Sequence, residues 1–325
     1  MTKTTKTSIL TLLAVGRAPE IPRPTPRDPQ DSDPANYTPE AMTEDQRIAL
    51  RKAGIAVSNL LGSMSGPAAL SKLNPAAEAG ENMKHYRHGN GRSRSYNAAK
   101  TEEILAQGTV STPTPMALDD VTQTFVAQII AIVSASGPGT YQYLANNFAS
   151  DNDAIRGTHW FPMYSADSKW KYALGGFDFA PAALAINDGV TVTVKYRIFI
   201  WDRYNWDEGK TVQLPYFDPE IAIGPEAMGN LLGAQPRQGT PNPYISDGYN
   251  YKKNEAGEWV KGTRYTSLND ALFGNLINED LAQNYDINGA GQIHTYRVNL
   301  SEVDIPAAIG GQIPKTATHS VGTGE

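Results

Sequence analysis

From Val190 to Ile200 the even-numbered positions read Val, Val, Val, Tyr, Ile, Ile, while the odd ones run Thr, Thr, Lys, Arg and then Phe199. Side chains of an extended chain alternate between faces, so this period of two specifies a strand buried on one face along its whole length. The odd positions turn apolar at Phe199 and Trp201, so the second face is covered near the end as well. Upstream, "FDFAPAALAI" supplies another apolar run, and Asn187-Asp188-Gly189 between the two is a hairpin signal, because a tight turn needs residues that tolerate positive φ. The rest of the chain has to be arranged around this long hairpin. Its second strand exceeds the usual length of about six residues, which predicts a bend or bulge.

Before the hairpin the periodicity is helical. Thr43 with Gln46 three residues on forms a capping box, followed by an apolar stripe at Ile48, Ile55, Leu60 and Leu61 and a stop at Gly62. A second helix starts at Asn74-Pro75 and runs through "AAEAGENMKHYRH" to Gly89. The third, "DDVTQTFVAQIIAIVSASGPG", has Asp119 or Asp120 to cap it and Val121, Phe125, Ile129, Ile132 and Val133 on one face. It reads as a core helix. It is also the best candidate for a membrane-active segment, although its polar face lacks the basic residues that interfacial helices carry. No segment reaches the roughly 18 uninterrupted apolar residues of a membrane span.

After the hairpin, residues 211–262 read mainly as loop, with a small hairpin turning at Asn254 to Gly257. A helix is predicted from Ser267, with Asp270 as its box partner, through "LNDALFGNLINEDLAQNY". In "QIHTYRVNL", Ile293, Thr295, Arg297 and Asn299 alternate with His294, Tyr296, Val298 and Leu300, a terminal strand. The fold class that follows is α+β, with a helical N-terminal part and a β-rich antiparallel part built on a long hairpin. The expected divisions are a flexible proline-rich arm over 1–40, a helical region over 41–138, a β-rich α+β domain over 139–310 and a disordered tail over 311–325.

Charge and composition narrow the chemistry. The net charge of −6 on 325 residues offers no electrostatic footprint for nucleic acid. The local cluster Lys84, His85, Arg87, His88, Arg92 and Arg94 reads as a solvated loop flanking a helix. Cysteine is absent, which removes disulfides, thiolate nucleophiles and cysteine–zinc sites together and suits an oxidising compartment. Lysines followed by the apolar run Ile9 to Val15 resemble a short signal peptide. There is no Walker loop, H-E-x-x-H or G-x-S-x-G, and His85 with His88 lacks a third metal ligand nearby. No cofactor follows from these residues.

The densest polar chemistry lies at the end of the long strand, in "YRIFIWDRYNWDEGK". A strand end fixes side chains better than a free loop, and Asp202 and Tyr204 lie two apart. A carboxylate beside a phenol can divide base and donor roles in ester cleavage, with Asp207 as a further carboxylate and Lys210 to stabilise a developing anion. The competing explanation is structural: Asp and Asn end strands because they favour turns, and Tyr and Trp cap cores with a polar tip.

"DRYNWDEGK" resembles the D-x-Y-D-W-x-x-G-K signature of effector-like C-terminal domains of bacterial polymorphic and interbacterial toxins. "AGENMKHYRHGNG", "KWKYALGGFDF" and "INEDLAQNYDINGAG" resemble segments of the same proteins in the same order, so the resemblance spans roughly 76–300. A weaker similarity runs to colicin M-like bacteriocins, which cleave a lipid-linked peptidoglycan precursor at a phosphoester. Asp202 and Tyr204 match their Asp-x-Tyr-Asp element, Asn205 replaces the second aspartate, and no His-Arg follows.

These resemblances imply a secreted antibacterial effector acting in the periplasm or at the envelope of a target cell, with a cognate immunity protein and secretion machinery as partners. The enzymatic form of that expectation is a phosphoester hydrolase with Asp202, Tyr204, Asp207 and Lys210 at its site, acting on a lipid-linked substrate. The alternatives are a non-enzymatic membrane-disrupting toxin and a secreted or phage-borne structural or binding protein.

Overall fold

A computed structural model describes residues 10–16, 20–25, 77–110, 118–146, 159–165, 168–206, 211–215, 245–269, 273, 276–277 and 280–322, with Glu44, Ile48, Arg51 and Ile55 as isolated helical positions. The architecture is α+β. Two compact units interleave along the sequence: one comprises Met1–Pro29, Ser93–Asp202 and Asp286–Glu325, the other Gln30–Arg92 and Arg203–Tyr285. They do not follow the sequential segments 1–40, 41–138, 139–310 and 311–325, because strand pairing joins stretches far apart in the chain.

The first unit is built on the hairpin. Strands β6 (Gly176–Asn187) and β7 (Thr191–Tyr204) pair antiparallel in unbroken register from Asp178↔Trp201 to Asn187↔Val192. Side chains fasten the turn: Asn187 Oδ1 accepts from the Gly189 amide, and Asp188 Oδ1 accepts from those of Val190 and Thr191 at 2.9 and 2.7 Å. Gly189 sits at φ 90°, which a side chain would strain. Val192, Val194, Tyr196, Ile198 and Ile200 are buried, and Phe199 joins them from the other face, as the alternation requires.

No bulge interrupts this pairing, contrary to the expectation from strand length. The two strands instead change partners along their outer edges. β6 pairs β4 (Gly139–Ala145) through residues 182–187 and β5 (Phe161–Ser165) through 176–179. β7 likewise pairs β12 (Ile293–Asn299) through residues 191–196 and also pairs β11 (Tyr285–Ala290). Pro181 has no N–H to donate, and it falls in the gap between β4 and β5, where no ladder bond is lost.

Short strands complete the sheet. β3 (Gly108–Val110) pairs β5, and β2 (Arg94–Tyr96) lies parallel to β11. β1 (Leu10–Val15) pairs β4. The described part of the segment read as a free arm is thus bound to the sheet: Ile21 packs on the cluster of Leu144, Trp160 and Phe199, and Trp160 Nε1 donates to the Thr25 carbonyl at 3.2 Å. At the other terminus β13 (Thr318–Gly322) pairs β12 from Ile293↔Gly322 to Arg297↔Thr318, so the expected disordered tail carries a strand. Backbone pairing needs no apolar periodicity in the segment that pairs.

The helix α3 (Leu118–Ser136) packs against β6 and the short α5 (Ile305–Ile309). Val121, Phe125, Ile129 and Val133 are buried as their spacing predicts, and each such side chain contributes about 1.5–3 kcal/mol by leaving water. Both aspartates fall in the first turn, where the helix dipole favours them. By length and composition α3 does suffice to cross a membrane, against the expectation that no segment would, but 56% of its apolar window is buried in the fold. The helix α2 (Ala98–Gln107) is not anticipated by the apolar pattern; Asn97 caps it by accepting from the Lys100 amide at 2.9 Å. It passes so close to β11 that a Cβ on Gly289 would lie 2.5 Å from Thr101 Oγ1. A further helix, α4 (Ser168–Ala173), precedes β6.

In the second unit, Glu44, Ile48, Arg51 and Ile55 are helical, in line with the stretch expected after Thr43, and α1 (Ala77–His88) matches the second predicted helix. Strands β8 (Thr211–Pro215), β10 (Trp259–Asn269) and β9 (Ile245–Lys253) form a sheet in that order. The β9–β10 turn falls where Asn254 to Gly257 predict it; Asn254 Oδ1 accepts from the amides of Ala256 and Glu258. The helix predicted from Ser267 starts later. Ser267 to Asn269 belong to β10, paired with β8, while Phe273, Leu276 and Ile277 are helical. A local capping pattern is overridden there by the ladder.

Candidate functional site

The boundary between the two units falls between Asp202 and Arg203, so the signature is divided. Asp202 closes the first unit's share of β7 and is half-buried. Its strand is well anchored: the neighbouring Trp201 stands opposite Asp178 across the ladder, and its ring lies 6.5 Å from that of Trp160. A carboxylate there is held by backbone that is itself fixed, which is the arrangement a general base needs.

Tyr204 belongs to the second unit, inside a cluster of rings. It stacks on Tyr285 with centroids 5.1 Å apart and planes at 25°, and meets Tyr86 at 5.8 Å and Trp206 at 5.9 Å. Trp206 in turn packs on Phe273 at 4.3 Å, and His85 meets Tyr285 edge-on at 4.4 Å. Tyr86, Phe273 and Tyr285 are fully buried. Two backbone ties complete the cluster: Tyr86 Oη donates to the Phe273 carbonyl at 3.1 Å, and Tyr285 Oη to that of Asn82 at 3.0 Å. The tyrosine and tryptophan of the signature therefore hold the second unit together through aromatic packing. Asp207 and Lys210 lie outside the described residues.

The basic cluster is dispersed into separate contacts. Lys84 pairs with Glu81, His85 Nε2 bonds the Arg92 carbonyl, and the Arg94 guanidinium lies 5.2 Å from the Tyr96 ring centre. Burial pulls the Arg87 guanidinium below its usual range. Among the described residues no three His, Asp or Glu side chains converge as metal ligands.

A second constellation lies in the first unit, assembled from four elements. Glu102 on α2 accepts from the Gln292 amide at 2.6 Å and lies 3.7 Å from His294 Nε2 on β12. His294 Nδ1 faces His319 Nε2 of β13 at 3.3 Å. The imidazoles are nearly parallel, at 6°, and each lies on a tyrosine: His294 on Tyr196 of β7 at 4.8 Å, His319 on Tyr296 at 4.4 Å. Burial would push the Glu102 carboxyl up, but the neighbouring His294 imidazole and the bond from the Gln292 amide outweigh it and hold the group below its ordinary range. Burial and the neighbouring His294 lower His319, and burial raises both Tyr196 and Tyr296. Chemically this is a carboxylate–imidazole–imidazole chain able to bind and pass a proton.

Sequence reasoning does not single out Glu102, His294 or His319 as a group, since 217 positions separate the first from the last. The one available signal is the alternation in "QIHTYRVNL", which puts His294 and Tyr296 on the same strand face. No family model, curated protein or solved structure matches this chain.

Proposed function

We propose that the chain is a secreted antibacterial effector that acts at the envelope of a target cell by hydrolysing a phosphoester of a lipid-linked peptidoglycan precursor. The observation that carries this reading is the position of Asp202, a half-buried carboxylate on the anchored end of the central strand, at the first residue of the D-x-Y-N-W-x-x-G-K signature. In the proposed step Asp202 takes a proton from water as its oxygen attacks phosphorus. The phosphorus–oxygen bond to the leaving group then breaks, and that oxygen is protonated from solvent. Tyr204 serves by packing, which moves it from donor to support. An immunity protein and secretion machinery are the partners this role requires.

Asp202→Asn is nearly isosteric and as good a turn residue, so the fold should persist. Toxicity of the variant directed to the periplasm is expected to fall by roughly two to four decades, the usual worth of a general base. Unchanged toxicity with an unchanged melting curve would falsify the catalytic role. A second, non-enzymatic reading draws on α3, whose length and composition suit a membrane. It requires the helix to leave its place on the sheet, and it is favoured if Asp202→Asn still permeabilises the inner membrane.

A further inference from the structure

We infer that His294 and His319 form a proton-sensitive clasp that fastens the C-terminal strand β13 to the sheet and releases it in mild acid. β13 is exposed along its length, and its pairing among the described strands is with β12 alone. Its ladder aligns Tyr296 with His319 and His294 with Val321, so the two imidazoles meet diagonally on one face of the sheet. With 3.3 Å between His294 Nδ1 and His319 Nε2, one nitrogen has to donate and the other accept.

The pair therefore holds one proton between the facing nitrogens. The first proton the pair takes up makes one imidazolium, which can donate to its neutral neighbour; the second makes both facing nitrogens N–H donors and sets two cations side by side, in a contact that is now repulsive. Glu102 lies on the far nitrogen of His294, so it can compensate a charge on His294 but makes no contact with His319. The other ionisable groups facing the pair are Tyr196 of β7 and Tyr296 of β12, with Asp119 at the start of α3 acting on both tyrosines. Lys195 and Arg297 alternate to the opposite face of their strands, and His319 is the sole ionisable residue of β13. Neither tyrosine has a charge to offer the second proton, because both are held further into the neutral form.

The direction of the effect follows from linkage. The folded state disfavours protonated His319, whose ordinary value is 6.5, so the unfastened strand takes up the proton first as pH falls. Attachment of β13 is then complete above that value and is lost on going below it.

The test is backbone amide exchange of Thr318–Gly322 in the full chain between about pH 8 and about pH 5, corrected for intrinsic rates and read against the imidazole titrations by NMR. Protection of these amides should fall by roughly tenfold or more, while core amides of β6 and β7 keep theirs. His319→Phe retains a ring to stack on Tyr296 without a titrating nitrogen, and its protection should not vary with pH, whatever its absolute level. Wild-type amides that stay protected down to about pH 5 would overturn the clasp, as would a variant that loses protection over the same range as wild type.

Discussion

Tyr204 illustrates how one residue type supports two roles that differ in the group they need. A proton donor needs the phenolic oxygen, whereas the ring cluster with Tyr86, Trp206 and Tyr285 needs the ring. Tyr204→Phe keeps the ring and is expected to leave the melting temperature and the toxicity close to wild type. Tyr204→Ala removes it, and a cost of about 2–4 kcal/mol is expected, somewhat below that of a fully buried aromatic because Tyr204 is half-buried. Denaturant melts of the two variants check this. Toxicity lost in the phenylalanine variant at unchanged stability would return the hydroxyl to the chemistry.

At the scale of elements, α3 separates a core helix from a lipid-seeking one. Ile129 is fully buried, and it lies within the stretch of α3 that the fold covers. Ile129→Asp leaves a carboxylate without a partner in an apolar setting and should destabilise by several kcal/mol, or force the group to stay protonated. Equilibrium unfolding reads the loss directly. A variant of undiminished stability that no longer permeabilises membranes would show that the helix works outside the fold. The hairpin turn was legible for a different reason: Asn187, Asp188 and Gly189 satisfy their own backbone locally, and no distant residue is needed to specify it. The start of the helix after Asn269 was not legible, because the pairing of Ser267–Asn269 with β8 is a long-range event that outweighs a local cap.

For the whole molecule, the N-terminal segment is the clearest case of tertiary structure deciding what composition leaves open. Prolines and charges from Arg17 onward suggested a detachable arm, yet β1 extends the sheet beside β4, and the Thr25 carbonyl accepts from Trp160. Deletion of residues 1–25 is expected to lower the melting temperature by several degrees, since each kcal/mol lost corresponds to about 2–4 °C in a domain of this size. A truncated chain that melts with the full one would show the strand to be dispensable and restore the arm.

The sequence by itself determined the α+β class, the central hairpin with its alternating burial, the core face of α3 and the turn at Asn254–Gly257. All of these are set by period and turn chemistry among residues close in the chain. It also marked Asp202 as a carboxylate at a strand end. Only the tertiary structure decided which edges β1 and β13 occupy, that β6 and β7 change partners instead of bulging, and that the Tyr204 ring lies among those of Tyr86, Trp206 and Tyr285. It alone brought Glu102, His294 and His319 together. Strand pairing is made of backbone hydrogen bonds that every residue except proline can offer, so the sequence carries little record of which strands will meet. A cluster drawn from α2, β7, β12 and β13 inherits that silence, because its members become neighbours only after the ladders have formed.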